Sequence, residues 1–135
     1  MSKLENAEQQ YLHALFTPSE DAWKAVAEYF PDEITENRLW TRRARRRLGE
    51  YYLNRGETDK ALATYQGLSS LEETAQGFRL AGLVGEAIVY DRWNNREEVV
   101  ERLERIPAQK RVLLLDNFLL EEFDRLTVKY AGENK

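Results

Sequence analysis

Along the chain, apolar residues recur at spacings of three and four, separated by charged and polar ones, and no stretch alternates with the period of two that a strand requires. A first helix is read over residues 3–16, where Leu4, Ala7, Tyr11 and Leu15 form one stripe. Thr17-Pro18-Ser19-Glu20 then reads as a helix start, with Thr17 as cap, Pro18 in the first position and Glu20 closing a capping box. The second helix, 18–30, carries Ala22, Trp23, Val26, Ala27 and Phe30, and Pro31 ends it. A third begins within 32–36 and runs to Arg55, where Gly56 supplies a stop; Leu39, Trp40, Ala44, Leu48, Tyr51 and Tyr52 make its apolar side. The fourth spans 58–69.

The fifth helix, Leu71 to Trp93, is apolar over most of its surface and is therefore expected to be buried. Its glycines, Gly77, Gly82 and Gly85, imply close helix–helix approach or a break near Gly77. Asn95-x-x-Glu98 opens a sixth over 96–105, and Pro107 separates it from a seventh over 108–131, striped through Val112, Leu115, Phe118, Leu119, Phe123, Leu126 and Tyr130. The links are short, which favours antiparallel neighbours. The expected fold is all-α: one domain, 1–135, with three hairpins (3–30, 34–69 and 72–106) in series and a closing helix over 108–131.

One stretch is more specific. Residues 45–65 run Arg45-x2-Leu48-Gly49-x2-Tyr52, then Gly56, then Ala61-x3-Tyr65. Gly49 and Ala61 are small enough for the two helices of a hairpin to approach, Tyr52 and Tyr65 fill the gaps, and Gly56 permits the turn. This pattern resembles the tetratricopeptide repeat, W-x2-L-G-x2-Y then A-x3-F then P, with Arg45 in place of the tryptophan and Glu73 near the place of the proline. A degraded echo follows, in which Leu83, Ala87, Tyr90, Asn94, Val99, Leu103 and Ile106 answer Arg45, Gly49, Tyr52, Gly56, Ala61, Tyr65 and Leu68. The resemblance implies a right-handed α-solenoid of helix-turn-helix hairpins. It also implies a protein-binding adaptor whose first helices line a groove for a peptide or partner helix; the arginines of the third helix would suit an acidic one.

Candidate contacts sit on the third helix. With Leu48 as the centre of the buried face and about 100° per residue, Arg46, Arg43 and Glu50 lie on the opposite side. By the resemblance, Arg43, Arg46, Glu50 and Leu53 face the groove, with Arg42, Arg47, Arg38 and Tyr51 beside them. Arginine forks suit carboxylates. The competing reading pairs the same arginines with the chain's own acids. Chaperone-binding members of the family clamp a terminal carboxylate with lysine and asparagine; Glu50 stands where asparagine is wanted, which counts against that ligand.

Composition removes other classes. Hydrophobic residues at 42% and charged residues at 33% fit a charge-rich helical protein rather than a disordered one. A formal net charge of −4 is mild and argues neither for nucleic acid nor for an anionic membrane as partner; no membrane partner is expected, and nucleic acid is a minor reading. There is no cysteine and a single histidine, His13, so no metal site, thiol chemistry or cofactor is expected. Adjacent carboxylates such as Glu97-Glu98 point apart and make poor acid–base pairs, and no nucleotide or nucleophile motif occurs, so no enzyme is expected. The run Val112-Leu113-Leu114-Leu115 is far too short to cross a bilayer, and the polar N-terminus lacks a signal h-region. A cytoplasmic location is expected, for a whole protein or for a piece of a larger one. A second reading gives the apolar face of 108–131 to homodimerisation.

Overall fold

In the computed structural model, which describes residues 2–132, seven α-helices and one 3-10 helix are present and no strand occurs among the described residues. They are α1 (Ala7–Phe16), α2 (Glu20–Tyr29), α3 (Thr35–Asn54), α4 (Thr58–Ser69), α5 (Gln76–Arg92), α6 (Arg96–Glu104), the 3-10 helix Ala108–Leu113, and α7 (Asn117–Lys129). Consecutive helices pack together from α1 to α6; α3 also touches α1 and α5, and α7 lies on α5. No helix among the described residues is long and apolar enough to cross a membrane.

Caps set the boundaries, and two expected boundaries move because of them. Ser19, not Thr17, caps α2, its hydroxyl accepting from the Ala22 amide at 3.0 Å, so that Pro18 lies outside the helix. Thr17 instead closes α1, its hydroxyl donating to the His13 carbonyl at 2.9 Å. The expected helix over 108–131 is two elements. After Pro107 the chain makes the 3-10 helix, then runs extended through Leu114, and Asp116 caps α7 by accepting from the Leu119 amide at 2.9 Å. Leu114 turns into the core while Leu115 is 80% exposed. The fifth helix begins only at Gln76, leaving 71–75 as a loop.

The turns between α3 and α4 and between α5 and α6 are built alike. Gly56 and Asn94 both take positive φ, +73° and +58°. The Glu57 amide donates to the Tyr52 carbonyl and the Asn95 amide to the Tyr90 carbonyl, both at 2.9 Å; Gly56 to Leu53 and Asn94 to Asp91 repeat the inner bond at 3.1 and 3.0 Å. Each is the six-to-one and five-to-two closure of a helix end, which needs a left-handed residue. Glycine takes that conformation freely, and asparagine tolerates it better than other side chains.

The main core joins α3 to α7, and a smaller cluster of Tyr11, Ala14, Ala22, Trp23, Val26 and Ala44 holds α1 and α2 against α3. At the centre Tyr65 is fully buried between two glycines. A methyl on Gly49 would sit 2.5 Å from its Cζ and one on Gly85 2.1 Å from its Cγ. Its hydroxyl is buried without a hydrogen-bond partner. Leaving a buried hydroxyl unmatched costs about 1–3 kcal/mol, so Tyr65→Phe is expected to raise stability by about 1 kcal/mol. Thermal unfolding checks this, and a lowered midpoint would mean that the hydroxyl is bonded in solution.

Candidate functional site

The α3 helix is the wall from which a concave surface is built. Tyr11 of α1, Arg38, Leu39, Arg42, Arg43 and Arg46 of α3, the loop residues Glu72, Thr74 and Ala75, and Gln76 to Phe78 of α5 surround a groove of about 820 Å³, closed on one side by Leu113 and Leu115. Gly77 forms part of this junction: a methyl there would lie 3.2 Å from the Leu113 carbonyl oxygen.

Four of the arginines expected at or beside a groove line it, Arg38, Arg42, Arg43 and Arg46. The Arg43 guanidinium stands 4.8 Å from the centre of the Trp40 ring. Arg46 has a side chain only 14% exposed, stands 5.6 Å from the Phe78 ring centre, and faces Asp116 with Nε 3.5 Å from Oδ2. That Nε makes no hydrogen bond. Burial pulls the Arg46 guanidinium below its ordinary pKa against the counter-effect of Asp116. The site therefore holds a desolvated cation with one loosely placed acid.

Leu53, Tyr51, Arg47 and Glu50 lie outside the lining. Leu53 is 2% exposed and belongs to the core, because α3 is packed on both sides, by α2 and by α4 with α5. Arg42 lines the groove floor but is committed internally. Its two terminal nitrogens donate to the two Glu72 oxygens at 2.7 and 2.8 Å, and its Nε to Asp32 at 3.2 Å. The fork holds the Glu72 carboxyl down to about 2. Arg47 donates from Nε to the Tyr11 hydroxyl at 3.4 Å and is outside the groove lining. Glu50, half-buried, also lies outside it; burial and nearby Asp116 push its carboxyl up. Arg45, standing at the tryptophan position of the repeat pattern, reaches toward Asp32 at 3.8 Å, while its Cδ lies over Gly67.

The periodicity of α3 placed Arg43 and Arg46 opposite its apolar side. It gave no sign of Leu39, Phe78, Leu113 and Leu115, the apolar part of the lining. Periodicity puts Leu39 on the apolar side of α3, yet it is 46% exposed. Leu113 and Leu115 arrive only because the chain breaks before Asp116. Among the described residues no group of three or more His, Asp or Glu side chains gathers as a metal ion would need. No family model matches the chain, and neither a curated protein nor a solved structure matches it.

Proposed function

We propose that this chain is a non-catalytic protein-interaction module, an adaptor made of tetratricopeptide-like hairpins stacked as a short right-handed solenoid, which holds a peptide or partner helix in the arginine-lined groove. The groove is the observation that carries the reading. Four arginines and partly exposed leucines face one concavity, and its helical walls come from α1, α3 and α5, the first helices of the three hairpins. The serial hairpins are supported by the matched turns at Gly56 and Asn94, which fall at equivalent places of the repeat and its echo. The floor is an opening of mixed character, in which leucine and phenylalanine supply contact area and guanidinium groups supply orientation.

The test compares wild-type chain with Arg43→Glu/Arg46→Glu against a native partner recovered with the wild-type bait. Affinity is expected to fall at least about tenfold, with a weaker salt dependence in the variant. Equal affinity and equal salt response would show that the partner binds elsewhere. The second reading, association through 108–131, has less surface to work with, since Leu119, Phe123 and Leu126 are buried within the chain and Val112, Leu115 and Val128 remain exposed.

A further inference from the structure

The groove does not stop at the start of α5. Thr74 and Gln76, which line it, also line a second depression of about 480 Å³ on the other side of the α4–α5 loop. Arg79, Arg105 and Lys110 surround that depression, with Glu73 as its one acid. The residues lining groove and depression carry a net of five positive charges, which Asp32, Asp116 and Glu101, paired with Arg42, Arg46 and Arg105 from outside the lining, reduce to two, on a chain whose formal net charge is −4. The groove's own acid, Glu72, is bound at both oxygens by Arg42. Arg38, Arg43, Arg79 and Lys110 make no ion pair with another described residue, as is true also of Lys3, Lys24 and Arg55 elsewhere on the surface, while Arg46 and Arg105 are paired with Asp116 and Glu101.

Given a groove that holds a partner, we infer that the two depressions form one docking track for an extended acidic peptide, which lies in the groove, crosses the loop beside Thr74 and Gln76, and ends over Arg79 and Lys110. Charge complementarity selects the acid: segregated cations steer an anionic partner and fix its register. A peptide fits better than a nucleic acid strand. The groove offers aliphatic side chains, Leu39, Leu113 and Leu115, to the residues between the carboxylates. The aromatic rings in and beside the groove are already engaged, Trp40 by Arg43, Phe78 by Arg46, and buried Tyr11 by Trp23 and Trp40, which leaves little open ring surface on which to stack bases.

Length separates the track from the groove alone. Two fluorescein-labelled probes of Glu and Leu, one of about five residues and one of about twelve, differ in reach by roughly 20 Å at about 3.3 Å per residue. Fluorescence anisotropy is expected to give the long probe about tenfold tighter binding. Arg79→Glu/Lys110→Glu is expected to erase that advantage and leave the short probe's Kd unchanged, with Arg79→Gln/Lys110→Gln acting in the same direction. Arg43→Glu/Arg46→Glu is expected to weaken both probes; circular dichroism establishes that every variant is folded. Equal affinity of the two probes, or an equal response of both to Arg79→Glu/Lys110→Glu, overturns the track and leaves the groove standing. Indifference of both probes to Arg43→Glu/Arg46→Glu, or no saturable binding of either at low salt, removes the groove and the track with it. A labelled single-stranded oligonucleotide that binds more tightly than the long probe, with the same variant sensitivity, overturns the peptide assignment.

Discussion

Gly82→Ala is expected to destabilise the fold by about 2 kcal/mol or more, although it places a better helix former in the interior of α5. Helix propensity alone favours alanine by about 1 kcal/mol. Against this stands the approach of α4. A methyl on Gly82 would lie 2.4 Å from the Ser69 amide nitrogen, 2.6 Å from the Tyr65 carbonyl oxygen and 2.9 Å from the Ser69 Cα. All three atoms are backbone, so no side-chain rotation relieves the clash, and α4 has to move bodily. Overpacking of this kind costs about 1–3 kcal/mol and more when backbone must shift, which outweighs the propensity gain. The same movement disturbs Tyr65, wedged between Gly49 and Gly85, and so reaches the centre of the core. A drop in the unfolding midpoint of several degrees, roughly 4 °C per kcal/mol at this chain length, is the expected reading. Gly67→Ala is the matched control in α4: its methyl would meet only the flexible Arg45 Cδ at 3.7 Å, so a gain of up to about 1 kcal/mol is expected. If both variants shift the midpoint upward, α4 and α5 are further apart in solution than these distances require.

Gly82 shows what the letters of the chain carry. Three glycines in an apolar helix imply close neighbours, and all three have one: α4 against Gly82 and Gly85, and the Leu113 carbonyl against Gly77. The bounds of α4 and α6 are close to those read from periodicity, since Gly56, Asn95 and Pro107 are local signals that tertiary contacts do not override. The break before α7 is different. Val112 to Leu120 is apolar enough to read as continuous helix. Asp116 is a weak stop signal until its side chain is seen accepting from the Leu119 amide, and until Leu114 is seen filling the core. The site divides the same way. Arg43 and Arg46 fall on the outer arc of one helix, which a wheel can find. Arg42 is buried because Glu72, thirty residues on, comes back over α3, and no local pattern contains that loop closure. Leu53 is buried instead of facing the groove for a related reason: a wheel with one buried face does not describe a helix packed on two sides.

Asp91→Ala is expected to detach α7 while the rest of the fold persists. Asp91 is 8% exposed and accepts from the Tyr130 hydroxyl and Lys129 Nζ, both at 2.7 Å, and from Arg125 Nη2 at 3.2 Å. Burial pushes its carboxyl up, but the hydrogen bonds from Lys129, Tyr130 and Arg125 prevail and hold it below the usual carboxylate range. All three donors belong to α7 or its last turn, and their acceptor belongs to α5. Truncation leaves the buried Tyr130 hydroxyl without an acceptor, which costs about 1–3 kcal/mol. Lys129 and Arg125 are about half exposed and return to water, so their loss adds little. The expected total is about 2–3 kcal/mol, and Asp91→Asn, which keeps an acceptor for Tyr130, is expected to lose less. The loss should be local because α7 packs chiefly on α5. Hydrogen exchange is then expected to rise first at amides of 117–130, with α4 and α5 still protected. The groove feels this through Asp116, which caps α7 and faces Arg46, and through Leu115 beside it. Loosening α7 thus removes one wall of the groove and the one carboxylate near Arg46, so a partner that uses Leu115 should bind Asp91→Ala more weakly than wild type. Uniformly faster exchange over all helices would instead place α7 in the same cooperative unit as the core, and the groove wall would then stand or fall with the whole molecule.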